Sequence, residues 1–165
     1  MLSKLINITS LSRGSVIPYF IELKKNKKIL TLTDIRMTRF HITLDQSVEL
    51  VLWMIKNSIG GEIAVSKIPS LRIIDIIKAM NAKYKITGIR PGEKIHEDLI
   101  SSHDSLNTIS LKKNYLILPQ GQKKIVNFYK RKYGAKNVKE NFSYNSYTNH
   151  HYLKINEIKQ LIKKI

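Results

Sequence analysis

Short apolar runs alternate with helical patterns along the first forty residues. Residues 5–9 are almost all apolar or β-branched, which predicts a strand. The apolar positions that follow recur at helical spacing and predict a helix over residues 16–25, with Pro18 in its first turn, where proline is tolerated. Residues 29–33 predict a second short strand, and residues 34–40 predict an irregular loop that carries cations.

The clearest amphipathic pattern follows Thr43. Thr43 and Gln46 have the spacing of a capping box, which marks the start of a helix. The Gly60-Gly61 pair ends this segment, and residues 62–65 predict the next strand. The aliphatic residues that share one face of the helix are Leu44, Val48, Val51, Leu52 and Ile55.

Shorter elements fill residues 70–118. Ser70 is the predicted N-cap of a helix, residues 85–89 predict a strand, and residues 93–100 predict a short helix. Residues 101–114 are polar and loop-like, and residues 115–118 predict a strand that Pro119 ends. The predicted inward residues of the helix after Ser70 are Ile73, Ile76, Ile77 and Met80.

The composition changes after residue 119. Residues 120–152 are rich in Lys, Asn, Tyr and Ser, which predicts a loosely structured basic connector. Residues 156–165 have the pattern of a terminal amphipathic helix. The alternation of strands and helices before residue 119 indicates an α/β or α+β domain.

Composition narrows the class of protein. The length of 165 residues suits one domain. A mean hydropathy of −0.21 and the lack of any run of about 18 apolar residues argue against a transmembrane protein. The first residues lack a signal-peptide pattern, and the absence of cysteine excludes disulfides and thiolate metal sites. These features predict a cytoplasmic protein.

The chain is strongly basic, with 29 Lys and Arg against 12 Asp and Glu and a net charge of +17. Such a charge attracts anions, and a nucleic-acid interface is one interpretation. The positive residues are mostly lysine and are dispersed, and their densest cluster lies in the predicted connector. The pattern therefore favours a solvated surface over nucleic-acid binding.

Two basic loops stand out as candidate anion sites, residues 33–40 and residues 90–94. Arginine suits phosphate because its planar fork donates two hydrogen bonds at once. The two loops, one with Arg36 and Arg39 and the other with Arg90, would form a diphosphate clamp if they closed on one cleft. Glu93 accepts hydrogen bonds and suits sugar or ribose hydroxyls. Alternatively, Arg36 or Arg39 forms an ion pair with a neighbouring aspartate and only shapes its loop.

The sequence predicts neither a metal site nor a catalytic residue. The five histidines show no i, i+4 pair on a helix and are expected in loops or on the surface. The Gly-x-Gly-x-x-Gly fingerprint is absent, and the residue four positions after each tyrosine is never lysine. The Tyr-x-x-x-Lys pair of short-chain hydride-transfer enzymes is therefore missing from this sequence.

Six ordered segments, with a weaker seventh in the tail, carry a family resemblance. They are residues 12–18, 33–40, 42–45, 60–63, 67–70, 88–97 and, more weakly, 142–146. In order and spacing they resemble the C-terminal half of bacterial inverting UDP-N-acetylglucosamine 4,6-dehydratases and related polysaccharide-biosynthesis epimerases and dehydratases. These are extended short-chain dehydrogenase/reductases.

The resemblance implies a fold and an activity. It implies the C-terminal portion of such an enzyme, an incomplete Rossmann fold with a substrate-binding subdomain over residues 1–119. Residues 120–152 would be the connector and residues 153–165 a terminal helix. The implied reaction oxidises C4 of a UDP-sugar, eliminates water across C5–C6 and returns the hydride at C6, with NADP regenerated in each cycle.

The resemblance also implies roles for single residues. It places Arg90 and Glu93 on the UDP-sugar, with Val16 and Thr33 near the substrate. Ser12 and Arg13 adjoin the segment that faces NADP. The sequence departs from the family pattern at Leu11, where a glycine is usual, and at residues 147–148, where His-Asn is usual.

The family carries its Gly-rich fingerprint and its catalytic Asp-Lys and Tyr/Lys pairs in the half that precedes these motifs, and this sequence has none of them. We therefore expect a UDP-sugar-binding portion that is inactive alone and whose partner is a companion polypeptide with the missing half, or a homo-oligomer. A half-fold also predicts an exposed sheet edge and marginal stability. The alternatives are a non-catalytic remnant or binding module, a UDP-sugar epimerase fragment, and a charge-driven anion binder.

Overall fold

The computed structural model describes residues 16–165, so the predicted strand at residues 5–9 and the predicted cofactor contacts Ser12 and Arg13 lie outside the described residues. The fold is a mixture of helices and short strands. No helix within residues 16–165 is long and apolar enough to cross a membrane. In chain order the elements are α1 (Val16–Lys25), β1 (Leu30–Leu32), β2 (Thr38–Phe40), α2 (Leu44–Asn57), β3 (Ile63–Ser66), β4 (Ser70–Arg72), α3 (Ile73–Ala79), β5 (Tyr84–Ile86), β6 (Asp98–Ile100), a 3-10 helix (Ser102–Asn107), β7 (Thr108–Ser110), β8 (Asn114–Ile117), α4 (Lys123–Tyr133), β9 (Lys136–Asn137), β10 (Tyr144–Asn145) and α5 (Ile155–Lys163).

The described chain forms two compact units. The first unit comprises residues 45–67 and 98–145, and the second comprises residues 16–44, 68–97 and 146–165. Each unit has its own cluster of buried apolar residues.

The first unit is built on an antiparallel four-stranded sheet with the order β3-β8-β7-β9. A separate antiparallel pair joins β6 to β10. Helices α2 and α4 pack through one side each, and Trp53 of α2 meets the ring of Tyr133 of α4 edge-on at 5.7 Å. The buried core consists of Leu50, Met54, Ala64, Ile109, Leu111, Leu116, Leu118, Tyr129 and Ala135.

The second unit contains a parallel pair, β1 with β5, and an antiparallel pair, β2 with β4. Parallel strands cannot be joined by a tight turn, so the chain makes a long crossover between β1 and β5. Helices α1, α3 and α5 enclose the core, and Leu30, Ile76 and Ile158 are fully buried in it. The predicted helices at residues 16–25 and 156–165 correspond to α1 and α5.

Several local predictions are wrong. Residues 101–114 are not a loop, because they form the 3-10 helix Ser102–Asn107 and strand β7. The connector at residues 120–152 is not loosely structured, because α4 forms there with Tyr129 buried and Gly134 in the left-handed conformation at its C-terminus. Residues 93–100 form a turn and then β6 instead of a helix, since β6 pairs with β10 of the tail. Ser70 does not cap a helix; it begins β4, which pairs with Thr38–Phe40 inside the loop predicted for residues 34–40.

The amphipathic pattern after Thr43 predicts helix α2 correctly but not the face that the helix buries. The helix forms as predicted, but Leu50 and Met54 are its buried residues. The aliphatic face identified from the sequence points to solvent, with Leu44, Val48, Leu52 and Ile55 exposed. The helix therefore has an apolar side towards the core and a second apolar side without a partner among the described residues.

Candidate functional site

The Arg90–Glu93 segment is a tight turn. The Glu93 N–H donates to Arg90 O at 3.0 Å, and Gly92 has a φ of 80°. Proline followed by a residue of positive φ is the pattern of a type II turn, in which glycine is strongly preferred at the second central position. The turn follows β5 and presents the Arg90 side chain at the surface, where it makes no hydrogen bond or ion pair with any residue that the structure describes.

A cavity of about 420 Å³ in the second unit lies beside this turn. It falls within the range of small-molecule sites. The first two turns of α1, the end of β1 and the Arg90 turn supply its walls. The lining residues are Val16, Tyr19, Phe20, Thr31, Leu32, Thr33, Met37, Arg39, Ile73, Arg90 and Glu93. All five residues predicted to bind substrate (Val16, Thr33, Arg39, Arg90 and Glu93) therefore lie around one cavity.

Glu93 is positioned from two sides. The Thr33 hydroxyl donates to Glu93 Oε1 at 3.2 Å, and the Arg90 backbone N–H lies 3.3 Å from Oε2. The carboxylate is thus oriented by the end of β1 and by its own turn. It can still accept hydrogen bonds from a ligand hydroxyl, because each carboxylate oxygen has more than one acceptor site.

Arg39 lines the same cavity but is bound to the protein. Its Nη1 donates to Thr38 O and Ile95 O at 2.8 and 3.0 Å, and its Nη2 donates to Lys94 O at 2.9 Å. Its Nε lies 3.4 Å from Glu97 Oε1. Three of its five N–H groups therefore donate to backbone carbonyls, and these hydrogen bonds, with the ion pair to Glu97, fix the segment that follows the Arg90 turn.

Arg36 has the structural role that the sequence left open. It forms a two-pronged contact with Asp34, Nε to Oδ1 at 3.0 Å and Nη2 to Oδ2 at 2.7 Å. The hydrogen-bonded Arg36 guanidinium lowers the pKa of the Asp34 carboxyl to about 2. Arg36 does not line the cavity, so of the two arginines in the loop at residues 33–40 only Arg39 reaches it.

The tail contributes a hydrogen-bond network that local sequence patterns do not reveal. The buried Ser146 Oγ lies 2.7 Å from Thr38 Oγ1 and accepts from the Glu97 N–H at 2.8 Å. Thr38 Oγ1 is also 2.8 Å from Nδ1 of His96, whose ring stacks on Tyr147 at 4.6 Å. The only signal for this network is the weak tail motif at residues 142–146.

The NADP contacts expected from the sequence remain predictions. Ser12 and Arg13 lie outside the described residues, and the glycine fingerprint is missing from the printed sequence. Within residues 16–165, no three His, Asp or Glu side chains converge as a metal ion requires. The arrangement of Arg90 and Glu93 around the cavity is suited to holding an anionic, hydroxyl-bearing small molecule.

Comparison with known proteins identifies relatives of this chain. A family model described as polysaccharide biosynthesis protein matches residues 7–119. The chain is 44% identical over 145 residues to the UDP-N-acetylglucosamine 4,6-dehydratase (inverting) of Campylobacter jejuni subsp. jejuni serotype O:2. The aligned region covers 84% of this chain and 43% of that protein. The chain is 35% identical over 159 residues to the UDP-glucose 4-epimerase of Rickettsia conorii, covering 92% and 46%.

A solved structure has the same fold over nearly the whole chain. The X-ray structure of Pen from Bacillus thuringiensis superposes with a TM-score of 0.76 at 32% identity, covering 93% of this chain and 46% of that one. The expected fold class, an α/β portion of a short-chain dehydrogenase/reductase with part of a Rossmann fold, is confirmed. The chain spans about half the length of the curated relatives that it matches.

Proposed function

Because the chain belongs to the polysaccharide biosynthesis protein family of extended short-chain dehydrogenase/reductases, we propose that it is the UDP-sugar-binding portion of a nucleotide-sugar 4,6-dehydratase of the UDP-N-acetylglucosamine type. The observation that carries this proposal is the exposed Arg90 guanidinium at the rim of a cavity of about 420 Å³, with Glu93 oriented in the same wall. The relatives whose names specify a substrate act on UDP-sugars.

In this proposal each side chain has a separate task. Arg90 binds the diphosphate, because its fork is not engaged by the described residues and matches phosphate oxygens. Glu93 accepts a hydrogen bond from a sugar or ribose hydroxyl. Val16 and Thr33 form the wall near the sugar, and Arg39 holds the backbone that carries the turn.

The direct test is UDP-N-acetylglucosamine binding to the full 165-residue chain by calorimetry. Arg90→Ala should weaken binding at least about tenfold, since it removes charge-assisted hydrogen bonds to phosphate. Arg36→Ala is the matched control, because it removes the same charge from a residue outside the cavity, and it should leave affinity unchanged. Equal losses in the two variants would point to general attraction by a basic surface and would contradict the proposal.

We also propose that this chain alone does not turn over substrate, because the sequence has neither the Gly-x-Gly-x-x-Gly fingerprint nor the Tyr-x-x-x-Lys pair. NADP, bound by a companion polypeptide that carries these motifs, would supply hydride chemistry. Mixing the two polypeptides should yield a 4-keto-6-deoxy sugar nucleotide. UDP-sugar binding without product in any such mixture would favour a binding module or a remnant without catalysis.

A second candidate is an epimerase portion, favoured by the identity to several UDP-glucose 4-epimerases. In that case UDP-glucose should bind at least as well as UDP-N-acetylglucosamine, and the complemented mixture should produce UDP-galactose without loss of water. In either case we propose a cytoplasmic site of action and a role in the biosynthesis of surface polysaccharide or glycan.

A further inference from the structure

Three helices of the second unit, α1, α3 and α5, form a groove at its surface. The groove has a volume of about 450 Å³ and shares no lining residue with the cavity beside the Arg90 turn. The C-terminal part of α1, the end of α3 and the second half of α5 supply its walls. Its apolar lining residues are Ile21, Ala79, Met80 and Ile162. We call it the lysine groove, because lysines supply the rest of its lining.

The lysines of the groove are Lys24 and Lys25 on α1 and Lys159 and Lys163 on α5, and all four are exposed. Lys24 Nζ donates to Met80 O, which ties α1 to the end of α3. The ammonium groups of the other three make no hydrogen bond or ion pair with any residue between 16 and 165. The groove therefore combines an apolar floor with three cations that are available to a ligand.

Positive charge is concentrated in the two segments that carry these lysines. Residues 16–28 contain one acidic residue, Glu22, and residues 154–165 also contain one, Glu157. The Glu157 carboxylate accepts a hydrogen bond from the Lys154 N–H at 2.7 Å and so caps α5. Lysines of like charge at close range raise the local positive potential and attract anions. The lysines of the two segments are Lys24, Lys25, Lys27, Lys28, Lys154, Lys159, Lys163 and Lys164.

The type of side chain in the groove indicates the class of partner. Lysine stems lie along apolar surface while the ammonium group stays in water, which suits the boundary between phosphate head groups and acyl chains. The core of an interface with a folded protein is instead rich in aromatic residues and arginine and poor in lysine. Neither an aromatic residue nor an arginine is among the described residues that line the groove. An anionic lipid surface therefore fits the groove better than an acidic protein does.

We propose that the lysine groove docks the second unit on the surface of a membrane that contains anionic phospholipid. Lys25, Lys159 and Lys163 contact the lipid phosphates, and Ile21 and Ile162 lie at the edge of the acyl region. A lysine close to an anionic membrane contributes about fivefold to binding, so the three together contribute about a hundredfold. The contact is reversible and sensitive to salt, because the attraction decays within a Debye length of about 10 Å at 0.1 M salt. This inference goes beyond the proposed function and does not depend on the identity of the sugar nucleotide.

Co-sedimentation of the full 165-residue chain with lipid vesicles tests the proposal. At about 0.1 M salt the chain should bind vesicles of mixed phosphatidylglycerol and phosphatidylcholine at least about tenfold more tightly than vesicles of phosphatidylcholine alone. Raising the salt to about 0.5 M should release most of the bound chain, since screening weakens the contact between lysine and phosphate. Equal binding to the two kinds of vesicle, or no binding to either, would overturn the proposal.

A pair of double variants locates the contact on the chain. Lys159→Gln/Lys163→Gln removes two lysines of the groove and should weaken binding to the anionic vesicles about 25-fold. Lys124→Gln/Lys130→Gln is the matched control, because it removes the same charge from exposed positions of one helix, α4 of the first unit. The control should bind like the wild type, and circular dichroism checks that both variants keep their helices. Equal losses in the two variants would mean general attraction by a basic chain and would overturn the proposal.

A fluorescent label reports whether the floor of the groove enters the lipid. The chain has no cysteine, so Ala79→Cys and Asn127→Cys each give one site for an environment-sensitive dye. With anionic vesicles the emission of the dye at residue 79 should shift to the blue, and that of the dye at the exposed residue 127 of α4 should not. The same shift at both sites would overturn the proposal. So would a chain that ignores the vesicles but binds polyglutamate through the groove, because that result would assign the groove to an acidic polypeptide.

Discussion

The Tyr129 hydroxyl donates a 2.9 Å hydrogen bond to Oε1 of Glu62, a carboxylate buried in the first unit. Ser58 Oγ and the backbone N–H groups of Ile59 and Gly60 donate to the same carboxylate at 2.6, 2.9 and 2.8 Å. Burial acts to raise the pKa of Glu62, but these hydrogen bonds outweigh it and lower the pKa. The carboxylate is thus a stable anion that joins α4 to the loop after α2.

Removing either partner of this pair should destabilise the chain by different amounts. Tyr129→Phe should lower the free energy of unfolding by about 1–2 kcal/mol, and Glu62→Gln by about 2–3 kcal/mol, because an amide nitrogen cannot accept the donated hydrogen bonds. Urea unfolding measures both. Tyr84→Phe, at an exposed tyrosine of β5, should change the stability by less than about 0.5 kcal/mol. Equal effects at Tyr84 and Tyr129 would contradict a special role for the pair.

The same carboxylate predicts an acid-sensitive contribution to stability. Because the pKa of Glu62 in the folded chain is below its ordinary value of 4.5, the stabilisation is complete above pH 4.5 and is lost as the pH falls towards the folded-state pKa. Unfolding free energies measured between neutral pH and pH 3 should fall more steeply in the wild type than in Glu62→Gln. Parallel curves would mean that Glu62 is not an anion in the folded chain.

His41 predicts a dependence on pH in a higher range. Its ring is buried in the second unit, and neither ring nitrogen has a hydrogen-bond partner among the described residues. Burial lowers the pKa of His41 below 6.5, so the unfolded chain binds this proton more readily and the folded chain loses stability as the pH falls below 6.5. His41→Phe should raise stability by about 1 kcal/mol and flatten the profile of melting temperature between pH 7 and 5.

Arg39 is expected to act through the backbone that it holds. Arg39→Lys keeps the charge but loses the planar fork that reaches Thr38 O, Lys94 O and Ile95 O. Amide hydrogen exchange of residues 94–97 should speed up, and UDP-N-acetylglucosamine affinity should fall several-fold. Arg36→Lys, whose ammonium can still pair with Asp34, should change neither. Weaker binding without faster exchange would assign Arg39 to direct ligand contact instead.

Thr33 provides the test of how Glu93 is positioned. Thr33→Val removes the hydroxyl that donates to Glu93 Oε1 while preserving shape, so UDP-sugar affinity should fall a few-fold. Thr33→Ser keeps the hydroxyl and should bind like the wild type. Titrations with UDP-N-acetylglucosamine provide the comparison. If both variants bind equally well, the Thr33–Glu93 contact has no part in recognition.

The sequence was sufficient for features that depend on local spacing or on an ordered set of motifs. Helix α1 begins and ends at the predicted residues because its apolar positions recur at helical spacing. The Arg90 turn was recognisable because proline and glycine impose it. The motif order also identified residues that line one cavity, although their roles in binding remain predictions.

The features that could not be predicted depend on partners distant in the chain. Strand β6 was predicted as part of a helix because its pairing strand, β10, lies in the tail, more than forty residues later. Local periodicity likewise identified the apolar face of α2 but not its direction, since Leu50 and Met54 give the helix a second apolar side. The bonds of Arg39 to three carbonyls have no sequence signature, because every residue has a carbonyl.

The position of Ser146 has a consequence for how the chain reaches its folded state. Ser146 bonds to Thr38, 108 residues earlier in the sequence, and Ile158 in the last helix is fully buried in the same unit. A nascent chain that emerges from the ribosome cannot complete this unit until its last segment is available, and such long-range closure slows folding. The cavity beside the Arg90 turn would therefore be among the last parts of the described chain to mature.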